Sequence, residues 1–469
     1  MTSTALYDVI IIGGGPAGST AASFLSMHGH NVLLLEKEKF PRDHVGESLL
    51  PFCYNILEKL GVLDQMKTTF VRKPGVRFID SRGAQSTTWC FDHVISDSSY
   101  LSFQVTRGEF DKLLLDNSRR LGATVMEERR VTGVSLDGDP AQPGADGTVS
   151  VQARGPDGQT ENYEARFLLD CSGRDAFMAS RKRLKKKYAE LDRTALWTHY
   201  SGAPLKGGLE EGLSLIVYLG GDKKGWIWIF PLGPNRLTVG VVLNNEYIRA
   251  QKAELEQQGV ADWQMALYEQ ELNYSPFAAD LLADAAPIQP LTVEGDYSYY
   301  TETKYGENFA MIGDAAAFID PIFSSGIFLA MNGARLVSDA VHKQLSMKEA
   351  DDSSLAEAYK SIEGAYKMVF KLINFFYSVN TINFAQMSVA AEVIHQQQED
   401  AMSVGHYLLA GDFFERYEEY GKVIDALQSP SIFRKYKKIV SSRPDFQATS
   451  CHETPDVVFH GLRDMEPFL

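Results

Sequence analysis

Two short glycine-rich segments three hundred positions apart carry the residue types that bind a dinucleotide: Gly13-Gly14-Gly15-Pro16-Ala17-Gly18 and Gly313-Asp314-Ala315-Ala316-Ala317-Phe318-Ile319-Asp320. The first lies between an apolar run, Tyr7 to Ile12, that suits a buried parallel strand and a stretch from Ala17 to Met27 with helical periodicity. Without side chains at Gly13 and Gly15, backbone N–H groups can approach a pyrophosphate at the helix N-terminus, where unpaired donors and the helix dipole both favour negative charge. Pro16, Ala17 and Gly18 form the first turn of that helix. Asn31 to Leu35 supplies a second strand, and Glu36 follows it with a carboxylate placed to accept a bond from a ribose hydroxyl. A lone GxGxxG means little, but strand, turn, helix, strand and acid in register point to a nucleotide cofactor. With Gly313 and Asp314 as the far end of the same site, that cofactor reads as FAD.

The elements that must position these residues are bounded by bulk properties. A chain of 469 residues exceeds one small core and predicts two or three domains. Hydrophobic content of 44% with 23% charged residues is that of an ordinary globular enzyme. No stretch is apolar for long enough to span a bilayer, and the first strand begins almost at once, leaving no room for a signal peptide. Net charge of −15 argues against a nucleic-acid partner. Cys53, Cys90, Cys171 and Cys451 are scattered without a CxxC pair, which predicts unpaired thiols in a cytoplasmic protein and no thiolate metal site. His28-Gly29-His30 has no third ligand nearby in sequence and reads as a turn. The basic run Arg181-Lys182-Arg183-Leu184-Lys185-Lys186-Lys187 reads as a solvated helix face, with a dock for an acidic carrier protein as the sharper alternative.

The pattern along the chain is α/β: a Rossmann-like doubly wound FAD-binding fold, an antiparallel substrate sheet and a C-terminal helical region. Within residues 1–345 the two domains interleave, with the nucleotide layer at about 1–71, 101–175 and 296–345, and the substrate sheet at about 72–100 and 190–295. Residues 346–469 are expected to be mainly helical. Phe167 to Asp170 and Phe309 to Ile312 read as strands of the nucleotide layer, Gly108 to Leu121 as a helix, and residues 136–147 as a loop by their Gly, Pro and Asp content. Alternating aromatic and β-branched runs, Leu213 to Leu219, Trp226 to Phe230 and Leu237 to Val242, predict a sheet that roofs the flavin ring. Tyr359, Ile362, Tyr366, Phe370, Ile373 and Phe376 recur at helical spacing, a stripe read as core or as the wall of an aromatic substrate pocket.

Further motifs carry a resemblance. Pro41-Arg42-Asp43-His44-Val45-Gly46-Glu47-Ser48-Leu49-Leu50-Pro51, Gln104-Val105-Thr106-Arg107-Gly108-Glu109-Phe110-Asp111, Asp170-Cys171-Ser172-Gly173-Arg174 and Gly313 to Gly326 join the first glycine segment. Together they make the first 385 or so residues similar to the flavin-dependent halogenases, in particular the branch acting on phenols and pyrroles that are often tethered to carrier proteins. Most of these motifs are shared with flavin hydroxylases and geranylgeranyl reductases, and both stand as alternative activities. Two features discriminate. Gly225-Trp226-Ile227-Trp228-Ile229-Phe230-Pro231 resembles the family's Trp-x-Trp-x-Ile-Pro signature, with Phe230 in place of Ile, and Lys73 stands where the family places its essential lysine.

What the resemblance implies is specific. Arg42, Ser48 and Arg107 join the FAD-binding set. Trp226, Trp228 and Phe323 face the flavin or substrate pocket. Backbone amides of Ser325 and Gly326 hold chloride or bromide. FAD is used as FADH2, delivered by a separate flavin reductase since no second nicotinamide fingerprint is present, and halide is oxidised with O2 to hypohalous acid. Lys73 is the catalytic residue, passing the halogen to an aromatic small molecule or to one carried by an acyl or peptidyl carrier protein. Burial beside Phe70 and Phe78 is expected to lower its pKa. No general base and no metal ligand is assigned.

Overall fold

The structure, a computed structural model, describes residues 6–84, 86–95, 97–136, 148–204, 209–295, 298–346, 353–378, 404–428 and 451. Apart from Leu136, the loop expected at 136–147 lies outside them, as does much of the C-terminal region.

Leu6–Ile12 is central in a sheet whose order runs 305–306, 309–311, 160–170, 6–12, 32–35, 124–126. The pairings of 6–12 with 32–35 and 160–170, of 160–170 with 309–311, and of 32–35 with 124–126 are all parallel. Strands of such a sheet are covered on both faces, which is why they read as continuous apolar runs. On one face Ile11 and Leu34 pack with the helix Pro16–Met27; on the other Ile10 and Leu33 pack with Val149, Val151 and Met178. The helix Arg107–Arg120 lies beside Pro16–Met27, and the helix Gly326–Ser346 packs against its other side. The helix Pro16–Met27 ends at His28 with Gly29 in the left-handed region, so the His-Gly-His segment is its C-terminal stop.

The second sheet contains 193–201, 236–244, 225–233, 214–219, 75–79 and 86–90 in that order, with two short strands at its edge. It is antiparallel except where 75–79 runs parallel to 214–219. Alternation along 225–233 sends Ile227 and Ile229 to one face and Trp226, Trp228 and Phe230 to the other. The first face is covered by an unexpected layer: where strands alone were expected, Asn245–Gln257, Trp263–Tyr274 and Pro276–Leu282 form helices whose Leu255, Leu267, Tyr268 and Leu272 fill that core. Their start signals are visible in hindsight: Asn244, Asp262 and Ser275 each accept a bond from an amide of the first turn, and Pro276 follows Ser275.

Two further expectations change, those on the basic run and on the cysteines, while the helical stripe keeps its reading as core. Lys185–Lys187 is an edge strand paired with Tyr299–Thr301, so the basic run is only partly helical. The stripe on Ser353–Tyr377 belongs to the main core, and Tyr359 and Tyr366 spend their hydroxyls on the carbonyls of Met311 and Ala317. Cys90 and Cys451 form a disulfide, while Cys53 and Cys171 are buried free thiols. A partner 361 residues away leaves no spacing pattern, and the pairing corrects the expectation of four unpaired thiols on which the cytoplasmic reading rested. Among the described residues no helix is long and apolar enough to cross a membrane, and no group of His, Cys, Asp or Glu is placed to hold a metal ion.

Candidate active site

A cavity of about 970 Å³ runs between the two sheets. Of the residues anticipated from sequence, Gly13, Gly15, Pro16, Ala17, Glu36, Arg42, Ser48, Arg107, Asp314, Gly326, Trp226 and Trp228 line it. Gly18, Gly313, Phe323, Ser325 and Lys73 stand behind that wall. Gly18 is there for packing, since a Cβ on it would lie 1.9 Å from the Gly13 carbonyl oxygen. Gly13 adopts φ +97°, and a Cβ there would lie 2.5 Å from the Cys171 carbonyl oxygen, so this turn admits no side chain.

The nucleotide end is set by charge. Glu36 accepts bonds from the amides of Gly14 at 2.6 Å and Glu38 at 2.8 Å, which fixes its carboxylate at the tip of the second strand. Asp111, one helical turn after Arg107, takes both arms of that arginine at 2.8 and 2.9 Å and a bond from Arg42 at 2.9 Å. Burial alone would raise the Asp111 pKa, but the two guanidinium groups outweigh it and hold the carboxyl below its ordinary value. Asp111 is therefore the residue that aims both arginines at the cavity. In sequence it is only the last residue of the Gln104–Asp111 motif, with no role of its own. Asp314 is pushed up to about 6 by burial, against the opposing charges of Arg174 and Arg107.

Another part of the cavity wall is aromatic. Ala195, Trp197, Trp226, Trp228 and Phe230 project from neighbouring strands into the cavity. Gly240 lies opposite Trp228, and a Cβ on it would fall 2.2 Å from the indole, so the ring occupies the space that glycine leaves. Glu47 also lines the cavity and is held by His199 Nε2 at 2.8 Å, while Arg236 donates to His199 Nδ1 at 2.8 Å. With Nδ1 accepting, the imidazole proton sits on Nε2 and is donated to Glu47. This buried chain joins three distant segments and had no signature in the sequence.

At one edge of the cavity the chain turns through Pro321–Phe323, and Ser324 adopts φ +54° before the helix Gly326–Ser346 begins. Asp320 caps the turn by accepting from the Ile322 amide at 3.1 Å. Leu329 donates to the Ser325 carbonyl, which makes Ser325 the cap of the helix and leaves the first amides, Gly326 included, without helical partners. No atom comes within 4 Å of the position a Gly326 Cβ would take, and the fully buried Ser325 hydroxyl has no hydrogen bond. The unpaired amides of the first turn and the unpartnered Ser325 hydroxyl thus border one open space, a set of donors suited to an anion.

Lys73 ends the strand Val71–Lys73, which pairs with Ser102–Gln104. Its side chain is fully buried, its Nζ donates to the Leu49 carbonyl at 2.9 Å and sits 5.4 Å from the centre of the Phe91 ring. Burial pushes its pKa from 10.5 down to about 7, with Cys53 opposing weakly; the Cys53 thiol is itself pushed up to about 12. Glu47 and Ser48 face the cavity while the carbonyl of Leu49 faces the amine, so a three-residue segment separates the two.

The residues present fit FAD: the glycine turn admits the approach of a pyrophosphate, Glu36 is poised for a ribose and the aromatic roof for a flat ring. A family model described as FAD binding domain matches residues 6–364. The Tryptophan 2-halogenase of Chondromyces crocatus is 33% identical over 393 residues, 83% of this chain and 71% of that protein. The 1H-pyrrole-2-carbonyl-(peptidyl-carrier protein) chlorinase of Pseudomonas fluorescens is 28% identical over 396 residues, 80% of this chain and 84% of its own length. Among solved structures the myxobacterial chondrochloren halogenase CndH superposes with a TM-score of 0.70 at 29% identity, over 91% of this chain and 97% of that one. The fold, the cavity and these similarities agree, and the chain belongs to the flavin-dependent halogenases, FAD enzymes that use halide.

Proposed function

We propose that this halogenase acts on an electron-rich aromatic ring, a phenol or pyrrole, free or carried by an acyl or peptidyl carrier protein, and that Lys73 delivers the halogen. Reduced FAD with O2 supplies the oxidising equivalent that turns halide into hypohalous acid, and a separate reductase supplies the reduced flavin. Amides of Ser325 and Gly326 hold the halide at the cavity edge. Trp226, Trp228 and Phe230 keep water from the oxidised halogen, and Phe323, edge-on to Phe376, belongs to the same core. Lys73 then either donates a hydrogen bond to the hypohalous acid or, as free amine, takes the halogen onto nitrogen with release of water and passes it to carbon in exchange for the ring proton.

The observation that carries this reading is the burial of the Lys73 amine with a carbonyl and an aromatic face as its neighbours, so that its pKa falls to about 7. An ordinary surface lysine has no such environment. The carrier-tethered pyrrole handled by the Pseudomonas relative supports the substrate class. The test is to incubate the protein with reduced FAD, O2, bromide and a panel of free phenols beside pyrrolyl and tyrosyl carrier thioesters, and to read mass shifts. Bromination of a ring is expected. Bromination confined to non-aromatic acyl carbons would overturn the substrate assignment.

A further inference from the structure

The helix Ser353–Tyr377 lies largely beyond the motifs discussed above, yet it grips the halide turn through one face. Tyr359, Tyr366 and Tyr377 are spaced by seven and eleven residues, close to two and three whole helical turns, so their side chains stand in one row. The first two donate to the carbonyls of Met311 and Ala317, at 2.8 and 3.0 Å. The third donates to Asp320 Oδ2 at 3.0 Å and accepts from the indole N–H of Trp226 at 2.8 Å. The row thus follows the chain from the last core strand to the residue that caps the turn.

Asp320 is fully buried, and its two oxygens divide between Tyr377 and the Ile322 amide. Burial raises its pKa, with the charge of Arg193 opposing. That guanidinium stacks 3.5 Å above the Tyr377 ring and donates to the carbonyls of Glu190 and Lys224. A single hydroxyl therefore links a wall indole of the flavin cavity to the carboxylate that shapes Pro321–Phe323. Four residues beyond Asp320 the Ser324 backbone is left-handed, a conformation that needs support from its surroundings.

We propose that Tyr377, acting through Asp320, is a positioning residue for the halide. It holds the turn in the form that aims the Ser325 and Gly326 amides at one point, and it ties that form to the orientation of Trp226. The inference rests on the reading of those amides as the halide site.

The experiment compares Tyr377→Phe and Gly326→Val with the wild type, all loaded with FAD. Bromide binding is measured by quenching of tryptophan and flavin fluorescence, FAD affinity by absorbance titration, and turnover with supplied reduced FAD as a function of bromide. Tyr377→Phe keeps the ring beneath Arg193 and removes only the hydroxyl. Its bromide Kd and bromide KM are expected to rise roughly tenfold or more, the scale of losing one hydrogen bond to a buried carboxylate, with kcat at saturating bromide and FAD affinity within about twofold. Gly326→Val fills the open space over the anion pocket and is expected to abolish bromide binding. If Gly326→Val abolishes binding while Tyr377→Phe leaves it unchanged, the positioning role falls and the halide site stands. If Gly326→Val leaves binding intact, the site reading falls and the inference with it. Loss of FAD from Tyr377→Phe would make the role a general structural one and would equally overturn the proposal.

Discussion

At the scale of single residues, the depressed pKa of Lys73 has two consequences with opposite signs for chemistry and stability. If halogen is carried on nitrogen, turnover at saturating halide rises with pH through about 7, as the free amine replaces the ammonium; if Lys73 serves as hydrogen-bond donor, turnover falls through the same range. A pH profile of single-turnover product formation separates the routes, and a profile flat from 6 to 8 would remove Lys73 from both. For stability, a folded pKa of about 7 below an unfolded value of 10.5 means the unfolded chain binds more protons between those limits, so this group penalises folding at neutral pH and the penalty fades as pH rises towards 10.5. The full shift is worth on the order of 4 kcal/mol at pH 7, less about 1–3 kcal/mol for the carbonyl that its removal leaves unpaired. Lys73→Met is therefore expected to raise the urea midpoint at pH 7 and to lose that advantage by about pH 10. A variant destabilised equally at both pH values would show that the amine is not desolvated. The burial of Lys73 was legible from the apolar Phe70 and Phe78 that flank it in sequence. Asp111 and the Glu47–His199–Arg236 chain were not, because they depend on contacts between segments that have no fixed spacing.

At the scale of elements, the parallel sheet was legible because buried strands must be apolar throughout and the glycine turn must follow one of them. Helices at 245–282 are hard to see in sequence because Leu255, Leu267 and Leu272 face the back of a sheet whose own strands dominate the hydropathy pattern. The strand pair 225–233 and 236–244 carries a dependence that pattern alone conceals, since Trp228 lies over Gly240. Gly240→Val is expected to push that indole into the cavity and lower FAD affinity by roughly tenfold or more, with a shifted tryptophan emission. Titration of the variant with FAD checks this, and wild-type affinity would mean that the ring relaxes elsewhere.

At the scale of the whole molecule, an FAD cofactor was legible in two segments three hundred positions apart because binding it tolerates few residue types. Long-range closure was not readable, and the Cys90–Cys451 disulfide is the clearest case. Cys90 pairs in register with Gly75, two residues from Lys73, so the bond anchors the far end of the chain beside the lysine strand. Closing so long a loop restricts the unfolded chain, and the chain-entropy argument allows up to about 6 kcal/mol. Cys451→Ser is expected to lower the thermal midpoint and leave FAD affinity unchanged, and a non-reducing peptide map should show the two cysteines in one linked species. Free thiols at both positions in the purified protein would refute the link.

On the proposed reading the buried Lys73 amine directs halogen to the substrate, and hypohalous acid does not act free in solution. The most direct measurement is a single turnover of FAD-loaded wild type and Lys73→Met with reduced FAD, bromide, substrate and an excess of a small soluble halogen trap, read by mass spectrometry. The wild type should brominate the substrate and spare the trap, whereas Lys73→Met should consume reduced flavin at a similar rate and brominate the trap alone. Substrate bromination by Lys73→Met at the wild-type rate, with the trap untouched, would contradict the account.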